Sequence, residues 1–202
     1  KFEEDISLLE AFYKNKGYRD FRVLSDSIEF SENKKKINLI LRLEEGPSYK
    51  YRNFSWEGMS LFSKNELKRA LSLEKGDNYN EEAFNMAVYS RVQGLYLDRG
   101  YIYSRIEPQI TPVGKDSLDI TFSIVENHKV YINQIAIIGN TRTRENVIRR
   151  QLRIFPGDVY SQERIARSYR EVMMLNFFAN ATPNILPVSE DKVDIEIAVE
   201  EK

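Results

Sequence analysis

Gly76-Asp77-Asn78-Tyr79-Asn80 is written again, 81 residues later, as Gly157-Asp158-Val159-Tyr160-Ser161, and Gly58 returns at the same offset as Gly139. A second pattern travels with the first. The alternating run Leu118, Ile120, Phe122, Ile124, Glu126 returns as Val193, Ile195, Ile197, Val199, Glu201, and stands once earlier as Ile37, Leu39, Leu41, Leu43, Glu45. An internal period takes precedence over other signals, because each copy is one folding unit. The chain therefore reads as a partial unit over residues 1–46 and complete units over 47–128 and 129–202. Units this small bury only a modest fraction of their surface, so each is marginally stable alone. An array of small units also offers surfaces rather than one enclosed pocket.

Working outward from the first cassette, Asn80 caps a helix, and Glu81 and Glu82 suit its positive N-terminus. Phe84, Val88, Val92 and Leu95 follow helical spacing. Arg99 falls in the last turn and Gly100 supplies the left-handed stop. Upstream, Ser63 caps a shorter helix carrying Leu67 and Leu71. Before that, residues 49–57 read as a strand with apolar Tyr49, Tyr51, Phe54 and Trp56, and the uneven step from Tyr51 to Phe54 predicts a bulge near Arg52-Asn53. Downstream, a second strand is expected from about Ile102 to Thr111. After a turn through Gly114, a third runs from Leu118 to Val125. The order is strand, helix, helix, strand, strand.

The last unit repeats that order. Val130, Ile132, Ile135 and Ile137 form its first strand, Thr143 is placed to cap a helix holding Ile148 and Leu152, and Ser161 caps the next. That helix is about five residues shorter than its counterpart. Asn176 stands where Gly100 stands; asparagine tolerates the left-handed conformation better than other side chains do. The first unit lacks its front half. Phe2, Ile6, Leu9 and Tyr13 form a helical stripe, Lys16-Gly17-Tyr18 matches Arg99-Gly100-Tyr101, and two strands follow over residues 21–30 and 36–44. The missing strand and helix point to a piece cut from a longer chain, and predict that the piece associates with another copy through residues 1–46.

Proline separates core strands from edge strands. The third strands contain none and alternate cleanly, which suits a sheet centre. The second strands carry Pro108 and Pro112, or Pro183 and Pro187, and a residue without an N–H belongs at an edge or a strand end. The expected fold is α+β: tandem β-α-α-β-β units, each a three-stranded mixed sheet covered on one face by two helices, with the third strand central. Residues 21–30 carry no proline, so this edge is the most open template for an added strand. Its candidate binding residues are Phe21, Val23, Ile28 and Phe30. The next candidate edge is Tyr103, Arg105 and Ile106.

Other features point away from chemistry. The 202 residues are 42% hydrophobic and 30% charged with a formal net charge of -1, without the basic stripe of a nucleic-acid binder. No apolar run approaches the roughly 18 residues of a membrane-spanning helix, and no stretch reads as a signal peptide. Zero cysteines exclude a disulfide framework or a thiolate site. His128, the single histidine, sits at a unit junction without a readable partner for acid–base work. The pairs Glu44-Glu45 and Glu200-Glu201 point to opposite faces of a strand, so they read as solvated ends rather than a shared site. Lys34-Lys35-Lys36 reads as a solvated hairpin loop, being shorter than the usual lipid-binding cluster. The Gly-Asp cassettes lack the lysine and glycine run of a phosphate loop and read as tight turns between helices. Phe54 and Trp56 are assigned to a core, whereas Tyr49 and Tyr51, close to a unit junction, fit packing between domains and an aromatic binding face equally well. No catalytic residue, cofactor or metal site is expected.

The pattern resembles the polypeptide-transport-associated (POTRA) domain. The resemblance is carried by Ile137-Ile138-Gly139-Asn140-Thr141-Arg142, by Val147-Ile148-Arg149-Arg150, by Pro156-Gly157-Asp158-Val159-Tyr160-Ser161, and by Leu95, Tyr96, Arg99, Gly100 and Tyr101. It covers essentially the whole chain. Trp56-Glu57-Gly58-Met59 in place of the usual Gly-Asn turn, and Asn176 in place of glycine, are departures. The resemblance implies the periplasmic arm of a Gram-negative outer-membrane β-barrel assembly factor. Such an arm would receive unfolded outer-membrane protein segments by strand addition and dock accessory lipoproteins, with no small-molecule substrate and no nucleic acid. Alternatives are the arm of a two-partner secretion pore or organelle translocon, and an interaction module of a cell-division protein.

Overall fold

The computed structural model describes residues 2–30 and 37–202, so the Lys34-Lys35-Lys36 loop lies outside the described residues. In chain order the elements are α1 (Phe2–Lys14), β1 (Arg22–Phe30), β2 (Ile37–Glu44), β3 (Lys50–Glu57), α2 (Lys64–Leu71), α3 (Glu81–Asn85), a π-helical segment (Met86–Val92), α4 (Gln93–Asp98), β4 (Arg105–Val113), β5 (Ser117–Val125), β6 (Tyr131–Ile138), α5 (Glu145–Arg149), α6 (Gln162–Met174), β7 (Phe178–Ser189) and β8 (Lys192–Glu201). They form three sheets, ordered β1-β2, β3-β5-β4 and β6-β8-β7. The proline-free strands β5 and β8 are central, and the proline-bearing β4 and β7 are edges. β3 runs parallel to β5, β6 runs parallel to β8, and β7 runs antiparallel to β8.

The central strands are buried along one face. Leu118, Ile120 and Phe122 are fully covered on β5, as are Val193 and Ile195 on β8. Trp56 of β3 stacks on Phe122 with ring centroids 4.3 Å apart. Tyr51 belongs to this same core rather than to a junction: it is 1% exposed and its ring packs against Tyr79 and Phe84. Phe54 is half-buried beside them.

Both complete units break register at the same place in the first strand. In β3 the shift falls between Tyr51 and Asn53, and the extra residue, Arg52, grips Asp119 with two guanidinium nitrogens. In β6 the shift falls between Ile132 and Ile135. There the amides of Asn133 and Gln134 reach Asp194 at 2.7 and 2.9 Å. The Arg52 hydrogen bond holds the Asp119 carboxyl below its ordinary range, and the Asn133 hydrogen bond does the same for Asp194. A bulge leaves its extra residue out of the ladder, so a neighbouring carboxylate on the central strand supplies the partner.

The helices depart from expectation in two places. Ser63 caps α2 as read from sequence, and Glu66 completes a reciprocal capping box with it. Thr143 does not cap α5. The residue at that position is Arg144, with no side-chain cap, and α5 ends at Arg149, so Leu152 lies beyond it, buried in the loop. The carboxylate of Glu201, at the end of β8, instead holds the loop ahead of the helix. It accepts from the Thr141 hydroxyl at 2.7 Å and from the Arg142 and Thr143 backbone N–H groups at 3.0 and 2.7 Å. These bonds, the Thr141 hydroxyl first, lower its pKa to about 2. Glu201 is therefore no solvated strand end: its side chain is 7% exposed. Gly139, at φ 86°, lets this loop close, because a Cβ there would lie 2.0 Å from the Val199 carbonyl oxygen.

The second departure is in the long middle helix. Its stripe runs Phe84, Val88, Val92, Tyr96, all buried, and Leu95 is only half-buried. Steps of four residues exceed the 3.6 of an α-helix and would rotate off the core. The π-helical turn at Met86–Val92 winds more residues per turn and keeps the stripe facing inward. α6, 13 residues long, has no such turn, whereas its counterpart's segments are 5, 7 and 6 residues.

By packing, the chain divides into two compact bodies, residues 1–91 with 106–123 and residues 92–105 with 124–202. In the first, α1 lies against β1 and leaves Leu8 and Phe12 exposed, as are Leu24, Ile28, Ile37 and Leu39 of the two-stranded sheet. In the second, Leu97, Ile102 and Tyr103 pack against the core built by β6, α6 and β8.

Candidate functional site

The sheet edges are the surfaces with unsatisfied backbone capacity, and register decides which donors face outward. β7 pairs with β8 through Ala181↔Val199, Pro183↔Ile197, Ile185↔Ile195 and Pro187↔Val193. Proline has no donor to give, so residues of this class direct their N–H groups away from β8. Ala181 agrees: its N–H is taken by its neighbour, Asn180 Oδ1, at 2.9 Å. Two prolines and one occupied donor leave Ile185 as the open donor among these four. Beside it, Pro183 and Ile185 line an apolar groove with Tyr160, Ile165 and Tyr169.

β1 presents the same class of positions without proline. It pairs antiparallel with β2 through Val23↔Leu43, Asp26↔Leu41, Ile28↔Leu39 and Phe30↔Ile37, with Leu24 as the residue of a register shift. Leu43, Leu41, Leu39 and Ile37 hold the places of Val199, Ile197, Ile195 and Val193 in the repeat. Val23, Asp26, Ile28 and Phe30 therefore stand where Ala181, Pro183, Ile185 and Pro187 stand. Three of the sequence-predicted residues, Val23, Ile28 and Phe30, share this outward class. The fourth, Phe21, precedes the strand, is 3% exposed, and stacks on Tyr13 at 4.0 Å.

The second predicted edge is shorter than read. Its strand starts at Arg105 rather than Ile102, because Ser104 turns back through its N–H to the Tyr101 carbonyl at 3.1 Å. Tyr103 is thus off the strand. It packs on the core of the last repeat, with its ring 5.3 Å from that of His128. Arg105 is exposed at the strand start and Ile106 turns its side chain into a core. His128 meets the backbone carbonyl of Glu190.

Sequence reasoning missed the residues that join one repeat to the next. Tyr49 was placed at a junction and is there: its N–H donates to the Gly17 carbonyl at 2.9 Å and its hydroxyl to Asp20 at 2.6 Å. Two further residues, Asn15 and Asp98, each stand two positions before a left-handed glycine and accept from the next repeat's long helix. Their recurrence in Asn15-Lys16-Gly17 and Asp98-Arg99-Gly100 was the available signal. Among the described residues, no group of three acidic or histidine side chains is placed to hold a metal ion. No helix of the described chain is long and apolar enough to cross a membrane, which says nothing of a β-barrel.

The chain is 32% identical over its full length to the outer membrane protein assembly factor BamA of Neisseria meningitidis, of which it spans 26%. It is 28% identical over 99% of its length to BamA of Nitratidesulfovibrio vulgaris, again spanning 26%. The chain thus covers about a quarter of these relatives. Its fold superimposes with a TM-score of 0.82 on the crystal structure of Haemophilus influenzae BamA POTRA3-5, at 22% identity, over 99% of this chain and 80% of that one. The family profile described as "POTRA: Surface antigen variable number repeat" matches residues 1–46, 49–127 and 130–202, and the chain belongs to the POTRA family.

Proposed function

We propose that this chain is part of the periplasmic arm of an outer-membrane β-barrel assembly factor, and that it receives unfolded outer-membrane protein segments by β-strand addition. In this reading the parent chain carries the barrel, accessory lipoproteins dock on other faces of the arm, and the arm catalyses nothing. The observation that carries the reading is the open edge of β1. Val23, Asp26, Ile28 and Phe30 hold outward positions where the last repeat carries two prolines. Main-chain pairing reads little side-chain sequence, which suits many clients, and alternate side-chain positions along the added strand can add preference. Each hydrogen bond contributes only about 0.5–1.5 kcal/mol net, so a client is held loosely enough to be passed on.

The experiment is proline substitution by parity. Ile28→Pro removes an outward donor and should weaken binding of an extended peptide with the alternating pattern of a barrel strand, while leaving the β1-β2 ladder intact. Ser27→Pro, on the inward class, should instead disturb the ladder itself. Circular dichroism and amide spectra report the fold. Unchanged peptide affinity for folded Ile28→Pro and Val23→Pro variants would remove β1 as the receiving edge.

A further inference from the structure

Each long helix in a complete unit is capped twice, once from within its own repeat and once from the repeat before. Within the repeat, Asn80 Oδ1 accepts from the Ala83 N–H at 2.7 Å, and Ser161 Oγ accepts from the Arg164 N–H at 3.3 Å. From the preceding repeat, Asn15 Oδ1 accepts from the Glu82 N–H at 2.9 Å, and Asp98 Oδ1 accepts from the Glu163 N–H at 2.7 Å. Asp98 also receives the Ser161 hydroxyl at 3.4 Å. Asn15 receives the Asn80 amide on its backbone carbonyl at 2.9 Å. Helix N-termini leave their first N–H groups without intrahelical partners, and an acceptor placed there satisfies both the donors and the positive end of the dipole.

The same short segment supplies a second contact. Two residues after each acceptor comes a left-handed glycine whose carbonyl accepts the first N–H of the following repeat: Gly17 from Tyr49 at 2.9 Å, Gly100 from Val130 at 2.8 Å. The carbonyls of Tyr49 and Val130 then accept from Tyr79 and Tyr160, inside the repeated Gly-Asp cassette, at 2.8 and 3.0 Å. The approach is close. A Cβ on Gly100 would lie 2.6 Å from Val159 Cγ1 and 3.0 Å from the Val130 carbonyl oxygen. The clamp also accounts for the packing of residues 92–105 in one compact body with 124–202.

We propose that the acceptor two residues ahead of the left-handed glycine, Asp98 at one junction and Asn15 at the other, is the positioning residue by which one repeat selects and holds the next. The partner that this surface fits is a further repeat of the same kind, presenting a Gly-Asp-x-Tyr-Asn/Ser cassette followed by a long helix. The last repeat is the internal contrast. At the equivalent place it carries Met174, 82% exposed and without an acceptor oxygen. Its left-handed residue is Asn176, whose side chain is engaged by Lys202. This clamp cannot be built from that end.

The test uses the full 202-residue chain with Asp98→Ala, Asp98→Asn and Asp98→Met, the last writing the terminal repeat's residue into the junction. Amide exchange of the Glu163 N–H reads the cap directly. Because the chain has no cysteine, Arg105→Cys with Arg170→Cys gives a unique spin-label pair across this contact, both sites exposed. Asp98→Ala and Asp98→Met should speed Glu163 exchange about tenfold and broaden the label distance distribution, as expected for loss of one charge-assisted bond. Asp98→Asn keeps an acceptor, as Asn15 does, and should stay within about twofold of the parent. Met174→Ala should change neither readout. Unchanged Glu163 exchange and label distances in Asp98→Ala would overturn the proposal. Damage from Asp98→Asn equal to that from Asp98→Ala would do so too, since an isosteric acceptor must then be no better than none.

Discussion

The middle and last repeats run through the same strand–helix–helix–strand–strand order and hold it together differently at three equivalent places. The middle repeat caps its short helix with a local Ser63–Glu66 box, whereas the last repeat sends Glu201 across from β8 to hold residues 141–143. The middle long helix keeps its stripe inward with a π turn, and α6 does so by being shorter. The middle helix ends at Gly100, the last at Asn176. What does not change is the central strand and the cores it anchors. The comparison teaches that the buried ladder sets the topology, while caps, helix pitch and stops are replaceable ways of closing the same frame.

That division predicts a ranked set of effects. The largest should come from the shared ladder. Ile197→Ala and Phe122→Ala remove equivalent buried side chains, and each should cost about 2–5 kcal/mol in denaturant unfolding. A loss below about 1 kcal/mol at either would mean that the two repeats do not share one core logic. Next comes the long-range anchor. Glu201→Gln should destabilise the last repeat by less than the ladder truncations and leave the middle repeat's amide protection unchanged. The folded carboxyl titrates near 2 against 4.5 unperturbed, so its contribution is complete above pH 4.5 and is lost as pH falls through 2. The stability gap between parent and Glu201→Gln should therefore close on acidification across that window, and a gap independent of pH would break the assignment.

Smaller effects belong to the local devices. Ser63→Ala should cost roughly 1 kcal/mol, the usual scale of an N-cap, and should loosen α2 first by hydrogen exchange. Asn176→Gly should fall within about 0.5 kcal/mol of the parent, since glycine relieves the left-handed backbone while giving up the Lys202 contact. A large loss there would show that this helix stop carries more than its backbone conformation.

Legibility in the sequence followed the range of the interaction. The strand order, the bulge at Arg52 and the caps at Ser63, Asn80 and Ser161 rest on neighbours in the chain or on the period itself, and they were readable. Thr143 misled because a threonine before a helix is a good local cap, and nothing nearby announces a carboxylate 58 residues away. Leu95 misled because an α-helical period was applied across a π turn, where Tyr96 takes the buried place. Tyr103 misled because Tyr101 to Ser104 form a turn, held by Ser104 on the Tyr101 carbonyl and by Gln93 on Ser104, and Tyr103 packs on the following repeat's core. For the candidate edge, proline content was visible at once. The parity linking Val23, Ile28 and Phe30 needed the observed register.

The spacing of prolines on β7 has a kinetic reading. A strand resting there still finds carbonyl acceptors, but it meets Pro183 and Pro187 where donors would be, and an Ala181 donor already engaged, so Ile185 offers the one open N–H among these positions. One laid along β1 meets donors at Val23, Asp26, Ile28 and Phe30. If association rates are alike, each additional bond at about 0.5–1.5 kcal/mol lengthens residence roughly twofold to tenfold. With three more donors on β1, the two edges would then differ in dwell time by roughly tenfold to a thousandfold, with visitors departing β7 sooner than β1. If segments add to these edges as proposed, proline sets how long they stay as well as where they land.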